Sequence, residues 1–130
     1  IPIFCCGESL AEREGNTHFV TVLHQIEGAL WHLTADQMSK VIIAYEPVWA
    51  IGTGVTATTA QAQEMHAFIR QSLSNHFGDD VAQSISILYG GSVNALNSKE
   101  LFEQPDVDGG LVGGASLKAK DFAAIIASAQ

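Results

Sequence analysis

The sequence is poor in positive charge and in cysteine, and it has no long apolar run. Six lysines and arginines stand against 14 aspartates and glutamates, which gives a formal net charge of −8. Because nucleic-acid-binding proteins present basic patches, this balance argues against nucleic acid as a partner. No apolar stretch approaches the ~20 residues of a transmembrane helix, and no signal peptide is recognisable, so we expect no membrane association. A small anionic ligand stays open, because backbone N–H groups bind phosphate in acidic proteins as well.

The two cysteines, Cys5 and Cys6, are adjacent. Side chains of neighbouring strand residues point to opposite faces, so we expect no disulfide between them. No group of residues has the spacing of metal ligands, and we expect neither a metal nor another cofactor. Buried free thiols then fit a reducing compartment, the cytoplasm.

Apolar segments alternate with helical patterns along the 130 residues. Four apolar runs predict buried strands, at 1–5, 41–45, 85–88 and 107–112. Helical spacing predicts one turn at 10–15, longer helices from a Thr17 cap to 33 and from Thr58 or Thr59 to Phe77, a short helix at 98–103 and a last helix at 122–127. Residues 34–40 are expected to form a connection. This alternation predicts an α/β fold, a parallel sheet with helices outside it, in one domain over residues 1–130.

Glu46 stands out because a carboxylate directly follows the apolar run 41–44. Burying such a group is costly unless it has a partner or a task. Active sites of parallel α/β folds lie at the carboxyl ends of the strands, so we interpret Glu46 as a catalytic base and the following loop as a mobile lid. A structural ion pair is the alternative. The loop also matches G-x-G-x-x-A at 52–57, but no acidic residue stands at a strand end about 20 positions later, which disfavours a dinucleotide site.

Two glycine pairs follow the third and fourth predicted strands, as Gly90-Gly91-Ser92 and Gly113-Gly114. Glycine has no Cβ, so backbone N–H groups can approach a ligand closely, and such loops form phosphate sites at the last strands of β/α barrels. Either pair alone could be a turn, but together they predict a phosphate site. The five histidines fall in predicted helices and are expected to be surface or packing residues. Arg70 is expected on an outer helix face, in an ion pair for which Asp106 is a candidate partner.

Four segments closely resemble the triosephosphate isomerase family, in the family's order: CGE at 6–8, AYEPVWAIGTG at 44–54, YGGSV at 89–93 and LVGGASL at 111–117. The resemblance implies a TIM (β/α)8 barrel of which this chain is the last four βα units, with the N-terminal half absent. It also implies an isomerase that interconverts glyceraldehyde 3-phosphate and dihydroxyacetone phosphate in glycolysis and gluconeogenesis, as a cytoplasmic homodimer. This mechanism comes with the family and not from the spacing.

The resemblance also implies roles for residues at matching positions. Glu46 would be the general base that moves a proton through an enediol(ate). The substrate phosphate would be bound by Gly52, Ser92, Gly113 and Gly114. Glu8 would contact the lid tryptophan, and Tyr89 with Ser92 would latch the closed lid. The lid itself would comprise Pro47, Val48, Trp49, Ala50, Ile51, Thr53 and Gly54.

The sequence departs from the family pattern in a few places. Val55 stands where lysine is usual, and Thr59-Ala60 where proline and glutamate often open the lid helix. The second change is expected to cost that helix up to about 1 kcal/mol, although Thr58 can still cap it.

The chain begins at Ile1 without a methionine, and no histidine stands at a predicted strand end. The resemblance implies that the absent half carries the family's electrophilic histidine and its substrate-binding asparagine and lysine, and we expect the 130 residues alone to be inactive. Two other hypotheses stay open. One is a different phosphate-binding barrel enzyme that uses Glu46 otherwise, and the other is a non-enzymatic phosphate-binding module.

Overall fold

A three-stranded parallel sheet lies at the centre of the fold. The computed structural model describes residues 1–129, and its strands, in the sheet order β1-β2-β3, are β1 (Ile3–Cys6), β2 (Ile42–Tyr45) and β3 (Ile87–Tyr89). Cys6 lies opposite Tyr45, and Tyr45 lies opposite Tyr89, so the three carboxyl ends are level. The loops that follow the strands therefore meet at one edge of the sheet.

Helices follow each strand. Within residues 1–129 the α-helices are α1 (Leu10–Glu14), α2 (His18–Leu30), α3 (Ala35–Met38), α4 (Thr59–Phe77), α5 (Asp79–Ser84), α6 (Ser98–Phe102) and α7 (Ala119–Ser128). Short 3-10 helices cover Val48–Ala50 and Gly114–Leu117. No helix in this part of the chain combines the length and the apolarity needed to cross a bilayer.

Three helices begin with a capping box, in which two side chains bond the backbone N–H groups of the first turn. The pairs are Ser9 with Glu12 at α1, Thr34 with Gln37 at α3, and Thr58 with Gln61 at α4. The predicted Thr58 cap is thus confirmed, and such a cap is worth about 1 kcal/mol. Because α4 begins directly after Thr58, the cap also fixes where the lid loop ends.

The helices α2 and α4 bury their apolar stripes in one cluster with the strands. Side chains that are at most 5% exposed include Val22, Ile26 and Leu30 from α2, Met65, Ile69 and Leu73 from α4, and Ile43 and Ile87 from the sheet. Burying each of these large side chains stabilises the fold by about 1.5–3 kcal/mol. The polar residues that α2 and α4 carry are therefore held at defined positions relative to the strand ends.

The first three predicted strands are present with slightly shifted bounds, but the fourth, at 107–112, is wrong. This segment meets β3 at one isolated parallel bridge, between Tyr89 and Gly110. The Asp108 carboxylate, and not a backbone carbonyl, accepts the Ile87 N–H at 2.7 Å. Gly109 has a positive φ of 150°. A regular ladder does not continue through a side-chain acceptor and a residue of this conformation.

Other local expectations were also wrong. The predicted connection at 34–40 contains α3, and α5 lies where no element was predicted. His32 lies in the turn after α2, not within a helix. Both thiols are free, but only Cys6 is buried and Cys5 is exposed. Alternate residues of β1 face opposite sides of the sheet, and within residues 1–129 only the side of Cys6 is well covered.

Arg70 is buried rather than on an outer face, and its expected pair with Asp106 is confirmed. Its Nε donates to Asp106 at 2.8 Å and its Nη2 to Asp108 at 2.7 Å. Its Nη1 donates to the carbonyls of Ala82 and Ile85. One guanidinium on α4 thus bonds to α5, to the residues that lead into β3 and to the segment 106–114, called here the bridging segment because it meets β3 at the isolated bridge.

Candidate active site

Glu46 lies at the carboxyl end of the central strand, between the loops of the two outer strands. Its backbone N–H donates to the Cys6 carbonyl at 2.7 Å. A Cβ at Gly7 would overlap the Glu46 carbonyl oxygen, and a Cβ at Gly90 would come within 2.5 Å of the Glu46 Cγ. Glycine is required at both positions because a larger residue would displace Glu46. The two neighbouring loops therefore hold the backbone and the side chain of Glu46.

The Glu46 side chain is half-buried. The ion pairs found within residues 1–129 are formed by Arg13, Arg70 and Lys99, and none of them includes Glu46. This part of the chain therefore does not support the structural ion pair that was the alternative for Glu46. Although Cys5 is exposed, partial desolvation of its thiol and the neighbouring Glu46 raise the pKa of that thiol, so it stays protonated at neutral pH.

A cavity of about 510 Å³ has Gly90, the neighbour of Glu46, in its wall, and Glu46 itself lines a second cavity of about 210 Å³ that shares Ile51 with the first. The wall of the first cavity is formed by the lid and by both glycine-pair loops, and includes Ile51, Gly52, Gly91, Ser92, Gly113 and Gly114. The structure thus brings together all four residues predicted to bind phosphate. A Cβ at Gly52, Gly113 or Gly114 would meet nothing within 4 Å. These three glycines therefore border open space rather than neighbouring parts of the chain.

Hydrogen bonds fix the peptide groups of both glycine-pair loops. The Ser116 hydroxyl donates to the Gly113 carbonyl at 2.6 Å, and the Ser116 N–H donates to the same oxygen at 2.9 Å. The Asn97 side chain donates to the Ser92 carbonyl at 3.0 Å. A preorganised backbone of this kind can present N–H groups to an anion without reorganising when the anion binds.

Three residues of the cavity wall, Asn94, Lys118 and Asp121, were missed by the sequence reasoning. Lys118 directly follows the 3-10 helix Gly114–Leu117, so its position after the second glycine pair could have indicated it. Asn94 and Asp121 had no comparable signal. Among residues 1–129, Lys118 is the only cation of the wall and Asp121 its only anion, so these two charges of the wall offset each other.

The lid, residues 47–56, is exposed at its tip. Val48 is 55% exposed and Ile51 is 46% exposed. Gly52 and Gly54 have positive φ values of 66° and 78°, which other residues adopt only at a cost. The lid therefore exposes apolar side chains to solvent, and two glycines beside them adopt a conformation that other residues adopt only at a cost. Both features fit a segment that packs differently in a second, closed state.

The base of the lid is anchored by a buried polar cluster of Glu8, Arg13, Tyr45 and Trp49, called here the Glu8 cluster. Glu8 is fully buried. Its Oε1 accepts hydrogen bonds from Arg13 Nε at 2.9 Å, the Tyr45 hydroxyl at 3.0 Å and Trp49 Nε1 at 3.0 Å. Burial and Glu8 raise the pKa of Tyr45, so its hydroxyl keeps the proton that it donates. The expected Glu8–Trp49 contact is present, whereas Arg13 and Tyr45 were not anticipated.

Tyr89 lies behind the lid, and its ring is 6.4 Å from that of Tyr45 and 6.3 Å from that of His66. Its hydroxyl is buried above Gly91 and has no hydrogen-bond partner among residues 1–129. Burial raises the pKa of Tyr89, and the nearby Ala57 backbone opposes that rise, although their geometry is not that of a full hydrogen bond. In this conformation Tyr89 is near the end of the lid without being bonded to it.

The chain is similar to known proteins over nearly its whole length. The family model described as Triosephosphate isomerase matches residues 1–129. A curated Triosephosphate isomerase of Porphyromonas gingivalis is 60% identical over 96% of this chain and 50% of its own length. That of Flavobacterium johnsoniae is 55% identical over 95% of this chain and 50% of its own length. That of Chloroherpeton thalassium is 57% identical over 98% of this chain and 51% of its own length.

These matches include the loops that surround Glu46 and the cavity. The chain spans about half the length of the curated relatives it matches. On the family match and the identities, the chain belongs to the triosephosphate isomerase family.

Proposed function

We propose that the complete protein containing this chain is a triosephosphate isomerase, interconverting glyceraldehyde 3-phosphate and dihydroxyacetone phosphate in glycolysis and gluconeogenesis. The observation that carries the proposal is the position of Glu46. It is half-buried, and it touches Gly90, which also belongs to the wall of the glycine-lined cavity. Isomerising a phosphorylated triose requires a base beside an anion site. The names of the relatives describe the same activity.

The proposed chemistry is a proton transfer between adjacent carbons of the substrate. The Glu46 carboxylate takes a proton from the carbon next to the carbonyl, and the electron pair left behind forms an enediol(ate). The protonated Glu46 then returns a proton to the neighbouring carbon, while the hydroxyl proton of that carbon moves to the former carbonyl oxygen, which completes the isomerisation. Atoms and electrons balance without a cofactor. Backbone N–H groups of Gly52, Ser92, Gly113 and Gly114 hold the phosphate throughout.

The lid, including Pro47, Val48, Ala50, Thr53 and Gly54, closes over the bound phosphate and excludes water, which limits loss of phosphate from the intermediate. Ile51 and Gly52 already border the cavity, so a small movement brings the lid tip onto the ligand. In the closed state Tyr89 and Ser92 latch the lid. The buried Tyr89 hydroxyl supports this step, because it lies close to the end of the lid and has no partner among residues 1–129.

In this proposal the chain is the last four βα units of a (β/α)8 barrel, the C-terminal half of one domain. The sheet supports it, because β1 pairs with β2 on one side and has no strand on its other side within residues 1–129. The other half of the barrel supplies the electrophile that polarises the substrate carbonyl. The complete protein is a cytoplasmic homodimer, and the 130 residues alone do not turn over the substrate.

A chimaera tests the proposal: the N-terminal half of the Porphyromonas gingivalis relative joined to residues 1–130 of this chain. We expect it to isomerise glyceraldehyde 3-phosphate. Glu46→Gln should lower kcat by about 10³-fold, because it removes the base and keeps the shape, with little change in KM. Glu27→Gln, an exposed change on α2, is the control. Unchanged turnover in Glu46→Gln would remove Glu46 from its role.

The purified 130-residue chain, assayed in the same way, separates the remaining hypotheses. No turnover is the expected result, and near-normal turnover would contradict the need for a second half. Phosphate binding with an inactive chimaera would favour the phosphate-binding module over the isomerase.

A further inference from the structure

The dipeptide Gly7-Glu8 connects β1 to Glu46, the proposed base, and to the base of the lid. Gly7 packs so closely on the backbone of Glu46 that a Cβ there would overlap the Glu46 carbonyl oxygen and come within 3.3 Å of the Pro47 nitrogen. Glu8, the next residue, accepts the hydrogen bond from Trp49 at the base of the lid. A shift of this dipeptide would therefore reach the base and the lid together.

Gln25 holds this dipeptide by both hydrogen-bonding groups of its amide. Its Oε1 accepts from the Gly7 N–H at 2.9 Å, and its Nε2 donates to the Gly7 carbonyl at 2.9 Å. Two antiparallel bonds to one residue are the pattern that a neighbouring strand would make. Gly7 lies just beyond the last paired residue of β1, Cys6, so the β1–β2 ladder does not satisfy these two groups.

The position of Gln25 is itself defined by the core. Gln25 lies in the middle of α2, next to Ile26. Val22 and Leu30 lie one helical turn before and one turn after Ile26. These three residues are at most 5% exposed and belong to the apolar cluster. The side-chain amide therefore transmits the fixed position of α2 to Gly7. Gln25 itself is exposed and lines a small cavity that Glu46 also lines, but its side-chain hydrogen bonds within residues 1–129 go only to Gly7.

We propose that Gln25 is a positioning residue for the isomerisation: its amide fixes the Gly7 peptide, and Gly7 in turn sets the place of Glu46. This rests on the proposed function of the complete protein. A misplacement of a catalytic group by about 1 Å can cost up to 10²-fold in rate. Because the phosphate cavity is built from other loops, loss of the two Gln25–Gly7 hydrogen bonds, called here the clamp, should lower kcat more than it changes KM.

The test uses the chimaera with Gln25→Ala, and with His24→Ala as the matched control at the neighbouring exposed position. We expect kcat of Gln25→Ala to fall about tenfold with KM within about twofold, and His24→Ala to stay within about twofold of the parent. Added acetamide, which supplies the deleted atoms, should restore at least about threefold of the lost kcat in Gln25→Ala alone. Equal behaviour of the two variants, or a raised KM with unchanged kcat, would overturn the proposal.

Hydrogen exchange of the Gly7 backbone N–H tests the Gln25–Gly7 hydrogen bonds independently of catalytic activity. We expect Gly7 to exchange at least about tenfold faster in Gln25→Ala than in the parent and in His24→Ala. An unchanged rate would overturn the proposal even if the chimaera were inactive, whereas inactivity of the unmodified chimaera counts against the proposed function alone.

Discussion

Replacing Glu8 by glutamine tests whether the Glu8 cluster stabilises the protein through its charge. The carboxylate is fully buried, and one of its oxygens accepts three hydrogen bonds of 2.9–3.0 Å. Glutamine has the same shape and keeps an acceptor oxygen, so the substitution creates no cavity. It removes the charge and places an amide N–H group at the position of Oε2, which has no partner among residues 1–129.

The expected magnitude follows from the burial of the partners. The Arg13 side chain is 12% exposed, and its other carboxylate partner, Glu64, is 3.6 Å away and 54% exposed. Without the carboxylate charge, the hydrogen bonds from Tyr45 and Trp49 become neutral and the bond from Arg13 loses its anionic partner, at a cost of about 0.5–1 kcal/mol each. Partial exposure of Arg13 keeps the total below the 3–5 kcal/mol that is typical for breaking a fully buried pair. We expect the free energy of unfolding to fall by about 2 kcal/mol.

Urea unfolding of the chimaera at pH 7 measures this change. Glu64→Gln is the control, because it removes only the long, exposed pair of Arg13 and should cost less than about 0.5 kcal/mol. In a Trp31→Phe background the fluorescence of Trp49 should also shift in Glu8→Gln, because the indole N–H loses its charged acceptor. If Glu8→Gln and Glu64→Gln were equally stable, the buried charge would not anchor the lid, and the reasoning would be refuted.

Three further predictions use the same preparations. Gly90→Ala should lower kcat at least about tenfold, because the new Cβ displaces the Glu46 side chain. Gly28→Ala, where a Cβ meets nothing within 4 Å, should instead raise the free energy of unfolding by up to about 1 kcal/mol. Burial lowers the pKa of His66 from 6.5 to about 4. As the pH falls below 6.5, the His66 imidazole therefore binds a proton in the unfolded chain before it does so in the folded protein. The free energy of unfolding should drop by up to about 3 kcal/mol and level off near pH 4. Urea unfolding from pH 7 to pH 4 checks this, and a slope unchanged in His66→Asn would contradict it. Arg70→Met should cost about 2–4 kcal/mol, because it removes the donor of two buried carbonyls and the cation that pairs two partly exposed carboxylates. A loss below about 1 kcal/mol in urea unfolding would contradict this.

The loops around the cavity could be predicted from the sequence because parallel strands place their carboxyl ends at one edge. Glu46, Gly90-Gly91 and Gly113-Gly114 each follow an apolar run, and the rule needs no further information to bring them together. The structure agrees even at 107–112, where the predicted strand was wrong, because the segment still runs beside β3 and carries its glycine pair to the same edge.

Contacts made by single side chains could not be predicted in the same way. Arg13 and Gln25 are polar residues on the helices α1 and α2, and in sequence they are indistinguishable from residues on a solvated face. Their partners, the Glu8 carboxylate and the Gly7 peptide, lie on a strand end, so the contacts exist only once helix and strand have packed. The failure at 107–112 has the same origin, because the acceptor for the Ile87 N–H is the Asp108 side chain, and periodicity reports only backbone pairing.

The position of Glu46 on the central strand explains which part of the site this chain can form. Both neighbours of β2 are present, so Gly7 from one side and Gly90 from the other fix the base, and the cavity is lined by the β2 and β3 loops and the bridging segment. No strand follows β1 on its other side within residues 1–129, and Ile3 and Cys5, which share one face of the sheet, are exposed. Under the proposed function, an electrophile that faces Glu46 across the substrate comes from the other half of the barrel. Gln25, Gly7 and the Glu8 cluster lie at the carboxyl end of β1, next to its free edge, so we expect the second half to contact this region.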